Sequence, residues 1–301
     1  MGFIKKEIVV DDLIFNDKAL NLTKIEKRYL ENKKNIKMCI DPDWMPFESF
    51  DKDGKHIGIS SNYFKIFQKN ISIPIEVVTT RSWSQSLKYI REKKCDILSL
   101  VMSTPKRKEY LNFTKPYMHI PLVLATKLDI RFVSSIDALT DEKIGIPKDY
   151  AFLEILQKKY PNLNIVEVDN IQDGLEKVAD GRLFGYIGTV VSITHLFQKS
   201  FIGKLKIAAK LDDTWRLSIG VRIDDKNLLS IFEKSVSMIE PKEKQKILNN
   251  WLSVKYDKSI DYTLIWQLIA LFTFIIFLFI YRQIILKKEV AKATKSIEEK
   301  N

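Results

Sequence analysis

The chain has 301 residues, and its 49 Lys and Arg against 38 Asp and Glu leave a net charge of +11. Hydrophobic residues make up 46% and charged ones 29%, with 10 Gly and 9 Pro, so a disordered, collagen-like or repetitive chain is excluded and packed cores in two lobes or domains are expected. Cys39 and Cys95 are the only cysteines and His56, His119 and His195 the only histidines, none at ligand spacing from another, which argues against a metal cofactor. The lysines are scattered and no nucleic-acid motif accompanies them, so nucleic acid is not an expected partner.

Residues 1–35 are a charged lead-in in which Leu22–Leu30 reads as a short helix entering the first strand. They hold no apolar run longer than Ile8-Val9-Val10, hence no export signal, and the chain reads as a fragment or a truncated gene product. Ile36–Ile40 reads as a strand, and Ile59, Tyr63, Phe64, Ile66, Phe67 and Ile71 recur at helical spacing before a second strand at Ile75–Val78. A helix through Trp83, Leu87 and Ile90 and a buried strand at Asp96–Val101 complete three parallel strands with crossover helices. A second set follows: strands at Lys143–Ile146, Asn164–Val168 and Leu183–Ile187, with a helix carrying Phe152, Leu153, Leu156 and Tyr160 and another beginning near Asn170.

Pro121–Thr126 and Leu217–Arg222 read as extended crossings between the two sets, which is how a hinge is made. The expected division is lobe 1 at about 36–121 and 223–254 and lobe 2 at about 127–216, with the hinge strands at 121–126 and 217–222. Ligands in such α/β architectures sit at the carboxyl ends of strands, so the site should be built from loops in the cleft.

Leu264–Tyr281 (LIWQLIALFTFIIFLFIY) carries no charge and has aromatics near both ends. At about 1.5 Å per residue it nearly matches a bilayer core of roughly 30 Å and reads as one transmembrane helix. Arg282, Lys287, Lys288, Lys292, Lys295 and Lys300 follow it, which by the positive-inside rule puts residues 282–301 in the cytoplasm and the residues before Leu264 outside. Leu286, Val290, Ala293 and Ile297 fall at spacings of a coiled-coil seam, a stub that could pair two copies and lead to a cytoplasmic output domain missing from this chain.

Asp41-Pro42-Asp43-Trp44-Met45-Pro46-Phe47-Glu48, with Asp53-Gly54 and Gly58, then Ser103-Thr104-Pro105-Lys106-Arg107 and Leu111-Asn112-Phe113-Thr114-Lys115-Pro116-Tyr117, resemble extracellular solute-binding protein family 3 over about residues 36–254. The chain is most similar to the membrane-tethered Venus-flytrap modules of bacterial sensor kinases and diguanylate cyclases, where a transmembrane helix follows as it does after Lys255-Tyr256. The resemblance implies an α/β, bilobed periplasmic-binding-protein fold that closes on a small carboxylate-bearing solute in the periplasm, tethered as a single-pass chain in the bacterial inner membrane with its C-terminus in the cytoplasm. It also implies that Arg107 grips a ligand carboxylate, a task suited to a planar guanidinium fork, although an arginine between Lys106 and Lys108 can equally be a surface residue. Trp44 takes the family's aromatic wall position or packs on Phe47, and Asp41 meets the distal part of a ligand or merely forms a turn before Pro42. In Gly145-Ile146-Pro147-Lys148-Asp149-Tyr150-Ala151, Asp149 is expected as a helix cap and Tyr150 as a cleft residue.

The pattern departs from amino-acid binders in three places. Gly188 and Thr189 stand where those members place an aspartate for the ammonium group, Thr189 being the ligand-facing candidate there, while Met102 and Ala151 replace hydroxyl residues. A small organic anion or aromatic carboxylate is thus at least as plausible as an amino acid. The expected function is a ligand sensor. The rivals are the tethered binding component of an ABC-type transporter and a dehydratase-like enzyme on the same fold. Finally, Cys39 and Cys95 are expected at opposite ends of neighbouring parallel strands, beyond bridging distance, and hence as free thiols.

Overall fold

The computed structural model describes residues 20–252 and 263–298, which belong to two units, Met1–Ser253 and Val254–Asn301. In the first unit, helix α1 (Lys24–Lys33) begins with a capping box: the Thr23 hydroxyl accepts from the Glu26 N–H and the Glu26 carboxylate from the Thr23 N–H. It leads into β1 (Ile36–Cys39), after which β2 (Asp43–Trp44), β3 (Glu48–Phe50) and β4 (His56–Ile57) form a small antiparallel sheet of their own. Then come α2 (Ile59–Ile71), β5 (Ile75–Val77), α3 (Trp83–Arg91), β6 (Ile97–Met102), β7 (Leu111–Phe113) and β8 (Met118–Lys127). The second set comprises β9 (Ile144–Pro147), α4 (Ala151–Lys159), β10 (Ile165–Val168), α5 (Ile171–Ala179), β11 (Gly185–Thr189) and α6 (Val190–Leu196). The chain returns through β12 (Leu205–Arg222) and ends this unit with α7 (Lys226–Ser237) and α8 (Pro241–Leu252).

The main sheet follows the order β10-β9-β11-β8-β12-β6-β1-β5, with β7 also pairing β12. At one end β1 lies parallel between β5 and β6 (Ile36↔Ile75, Met38↔Ile97), and at the other β9 lies parallel between β10 and β11 (Ile165↔Ile144, Gly185↔Ile144). These are the two parallel sets that the sequence pattern predicts. The long strands β8 and β12 join them: β8 runs antiparallel to β11, and β12 pairs β8 through Leu205–Leu217 and β6 through Leu217–Val221. The β8–β12 register shifts between Lys210 and Thr214. Five consecutive buried residues in β6 are what a central strand covered on both faces requires.

Gly58 opens α2 at φ 109°, where a Cβ would lie 2.5 Å from the Phe47 carbonyl oxygen, so this family glycine is fixed by contact as well as by conformation. Helix α1 is tied to α7 by Glu26, whose buried carboxylate accepts from Lys234 Nζ at 2.6 Å and from the Ser230 hydroxyl at 2.7 Å.

One expectation is overturned. Cys39 and Cys95 form a disulfide with a Cα–Cα distance of 5.8 Å. Cys95 is not part of β6. It ends the connection from α3, which stays bonded to that helix through Lys94 N–H and the Tyr89 carbonyl, and both cysteines are buried beneath Trp83, Leu87 and Ile90. Extrapolating the strand back from Ile97 places Cys95 too far along the sheet.

In the second unit a single helix, α9 (Thr263–Glu298), contains the apolar stretch Trp266–Lys288 with a mean hydropathy of 2.3. It has the length and composition to cross a bilayer. Residues 1–19, Lys255-Tyr256 and the side chains of Leu264, Ala293 and Ile297 lie outside the described residues.

Candidate ligand-binding cleft

The carboxyl ends of β1 and β6 deliver Asp41 and Met102 to a common cleft, which Trp215 and Leu217 on β12 and Tyr150 and Ala151 at the start of α4 also line. Trp44, Trp83, Leu100 and Arg107 complete the lining. Four of the five residues expected at the site, Asp41, Trp44, Arg107 and Tyr150, are therefore brought together. The free space among them is only about 20 Å³, enough for about one water.

Arg107 is buried, and its backbone N–H is held by the Thr104 hydroxyl of the preceding motif. Its guanidinium donates through Nη1 to the Met102 carbonyl at 3.0 Å and through Nη2 to the Asp149 carbonyl at 2.8 Å, so one side chain grips the ends of both parallel sets. It also lies 5.5 Å from the centre of the Trp83 ring. Burial lowers its pKa to about 10, which leaves it charged at neutral pH.

Asp41 accepts from the Tyr150 hydroxyl at 2.7 Å and from the Asp43 N–H at 3.1 Å. Burial raises its carboxyl to about 6, against the lowering effect of these two hydrogen bonds. Behind it, the Asp41 N–H donates to Glu48, a fully buried carboxyl that also accepts from the Ser60 hydroxyl at 2.9 Å and from the Ser99 hydroxyl. Removal from water raises Glu48 to about 8. His56 Nε2 lies 2.7 Å from the same Ser60 hydroxyl, and burial lowers this imidazole to about 3.

The two readings of Trp44 hold together, since its ring lies 4.6 Å from that of Phe47 and still lines the cleft, 4.9 Å from Trp215. Thr189 does not line it. Its hydroxyl is spent on the start of α6, accepting from the Ser192 N–H and donating to the Ser192 hydroxyl. Asp149 does not cap α4, whose N-cap is Tyr150. It adopts φ 62°, its carbonyl accepts from Arg107 and from Trp83 Nε1, and its carboxylate accepts from the Ser84 hydroxyl. Trp83 and Trp215 are cleft residues that sequence reading misses: Trp83 fits the apolar face of α3, and Trp215, buried between exposed Thr214 and Arg216, fits the inward face of an ordinary alternating strand.

The family model of the bacterial extracellular solute-binding proteins, family 3, matches residues 36–254. Virulence sensor protein BvgS of Bordetella bronchiseptica is 24% identical over 227 residues, covering 75% of this chain, and the chain spans only 18% of that sensor's length. ABC transporter arginine-binding protein 1 of Escherichia coli is 23% identical over 225 residues, 72% of this chain and 90% of that protein. The crystal structure of the periplasmic VFT2 domain of Bordetella pertussis BvgS superposes with a TM-score of 0.71 at 23% identity, covering 76% of this chain and 98% of that domain. With the family model matching nearly three quarters of its length, the chain belongs to the bacterial extracellular solute-binding proteins, family 3.

Proposed function

We propose that this chain is the extracytoplasmic sensing module of a membrane-anchored receptor, which closes on a small carboxylate-bearing solute and transmits the change through α9. The observation that carries this reading is Arg107, whose two terminal nitrogens bond carbonyls at the ends of both parallel sets. A carboxylate entering the cleft competes for those same donors with a bidentate, charge-assisted pair. Binding and lobe position are thereby linked through one side chain, as a ligand that favours one state over the other requires. The likeness to BvgS supports a sensor, with the first unit in the periplasm and residues beyond the apolar stretch in the cytoplasm, where basic Arg282, Lys287 and Lys288 fit the positive-inside rule. The cleft works here as a binding site and not as an enzyme.

The likeness to the arginine-binding protein supports a second reading, the binding component of a transporter. The test is a thermal-shift screen of small carboxylates on the full chain in lipid nanodiscs, followed by calorimetry on Arg107→Ala. Loss of the charged pair should weaken binding about ten- to a hundredfold. Unchanged affinity removes Arg107 from the site, and ligand-dependent capture by a permease would favour the transporter.

A further inference from the structure

Tyr150 lies inside the cleft with its ring 6.1 Å from Trp44 and 5.6 Å from Trp215, and its hydroxyl donates to Asp41. The carbonyl just before it, on Asp149, takes Arg107 Nη2. A short stretch of chain from the second parallel set thus presents, in order, an acceptor to the guanidinium, a flat ring to the aromatic walls and a donor to the carboxylate. Asp149 makes this possible by adopting φ 62°, a left-handed conformation that aspartate tolerates better than most side chains. Little other volume remains, about 20 Å³.

A further polar group stands in the same lining. The Trp215 indole is 4% exposed, and its Nε1–H is buried with no hydrogen-bond partner. A buried donor left unpaired costs free energy that an acceptor in the cleft would recover.

We infer that Asp149-Tyr150 is a built-in occupant of the binding cleft, which a solute must displace, and that the solute replaces it group for group. The matching class is a small flat-ring carboxylate carrying a hydroxyl or amine: the carboxylate to Arg107, the ring against Trp44 and Trp215, the donor to Asp41. The Trp215 N–H is then a specificity determinant that bonds an acceptor on the same molecule. The inference rests on the reading of this cleft as a solute site, and it adds that Tyr150 competes with the solute. Apparent affinity is reduced by the fraction of molecules in which Tyr150 is out of the way.

The probe is 4-hydroxybenzoate, with benzoate as the control lacking the donor, titrated by calorimetry into the full chain in lipid nanodiscs. Tyr150→Phe keeps the ring and creates no cavity but removes the bond to Asp41, so it should bind 4-hydroxybenzoate about ten times more tightly than the wild type. Tyr150→Ala should bind more tightly still and prefer 4-hydroxybenzoate to benzoate, a preference that the added Asp41→Ala change abolishes. Trp215→Phe in the Tyr150→Ala background should weaken binding several-fold. Equal 4-hydroxybenzoate binding, or none, in wild type and Tyr150→Phe overturns the inference, because a merely structural tyrosine leaves the site unaffected by loss of its hydroxyl. The sensor reading fails separately. If another carboxylate binds the wild type through Arg107 while the Tyr150 variants gain nothing, only the built-in occupant is lost. If Tyr150→Phe gains affinity that Arg107→Ala does not reduce, the assigned role of Arg107 is lost instead.

Discussion

Tyr150 and Asp41 are joined by a 2.7 Å hydrogen bond between the start of α4 and the end of β1, 109 residues apart in sequence. The bond stabilises the ionised carboxylate while burial opposes it, and the balance leaves Asp41 at about 6. Tyr150→Phe removes a lowering influence, so the Asp41 carboxyl should titrate above 6 in that variant. Carboxyl-carbon NMR of selectively labelled protein measures the shift directly. A titration unmoved or lowered in the variant would mean that the hydroxyl does not face the carboxylate in solution.

Glu48 gives stability a pH dependence of unusual sign. Its carboxyl titrates at about 8 in the fold against an ordinary value of 4.5, so between these limits the folded chain holds more protons than the unfolded one. Stability from this group is fully present below 4.5 and is lost as pH rises toward 8. His56 acts in the opposite direction between about 3 and 6.5, where the unfolded chain binds the extra proton, and Asp41 has finished by about 6. From pH 6.5 to 8 the Glu48 contribution therefore dominates among these three and amounts to roughly 2 kcal/mol. Thermal unfolding of the wild type should fall over that window, and Glu48→Gln, which keeps an uncharged hydrogen-bonding group there, should flatten it. An equal slope in both proteins would place the titration elsewhere.

How much of this was readable beforehand depends on whether a feature is periodic or local. The parallel sets were legible because Ile59, Tyr63, Phe67 and Ile71 repeat at helical spacing and β6 is an apolar run interrupted only by Ser99. The sheet β2-β3-β4 was not, because strands of two or three residues carry no period. Arg107 and Trp44 were legible from motifs, and their partners were not. The Asp149 carbonyl that meets Arg107 is a backbone group, and Trp215 reaches the cleft because it lies where β12 passes from pairing with β8 to pairing with β6. For Thr189 the sequence leaves two uses open, since a hydroxyl after a strand serves a ligand or a following helix, and here it is bonded at the start of α6.

The disulfide should matter to stability. It closes a loop between residues separated by 56 positions, for which the chain-entropy model gives ~4 kcal/mol. It also fastens the connection after α3, whose first turn supplies Trp83 and Ser84 to the contacts with Asp149. The double variant Cys39→Ser, Cys95→Ser should melt about 10 °C lower than the wild type. Alkylation of the unfolded protein without reductant should leave both cysteines unmodified in mass spectrometry, whereas two alkylated thiols would show that the bridge is not formed.

The last expectation concerns output through α9, which is helical without interruption from Thr263 to Glu298. Leu286 and Val290 are four residues apart, hence on one face, and both are exposed in the single chain, at 47% and 62%. Lys288 falls on a different face. If two receptors bring these helices together along the Leu286–Val290 face, Leu286→Cys and Val290→Cys should crosslink between copies in membranes and Lys288→Cys should do so poorly. So short a seam is marginal alone, and the neighbouring lysines repel across it, so the pairing must be held by the membrane-anchored whole. A solute that displaces Tyr150 should then change the yield at Leu286 and Val290 in opposite senses if the helices rotate, or in the same sense if they separate. Equal yields at all three positions, unaffected by 4-hydroxybenzoate in the Tyr150→Phe background, would reduce α9 to an anchor.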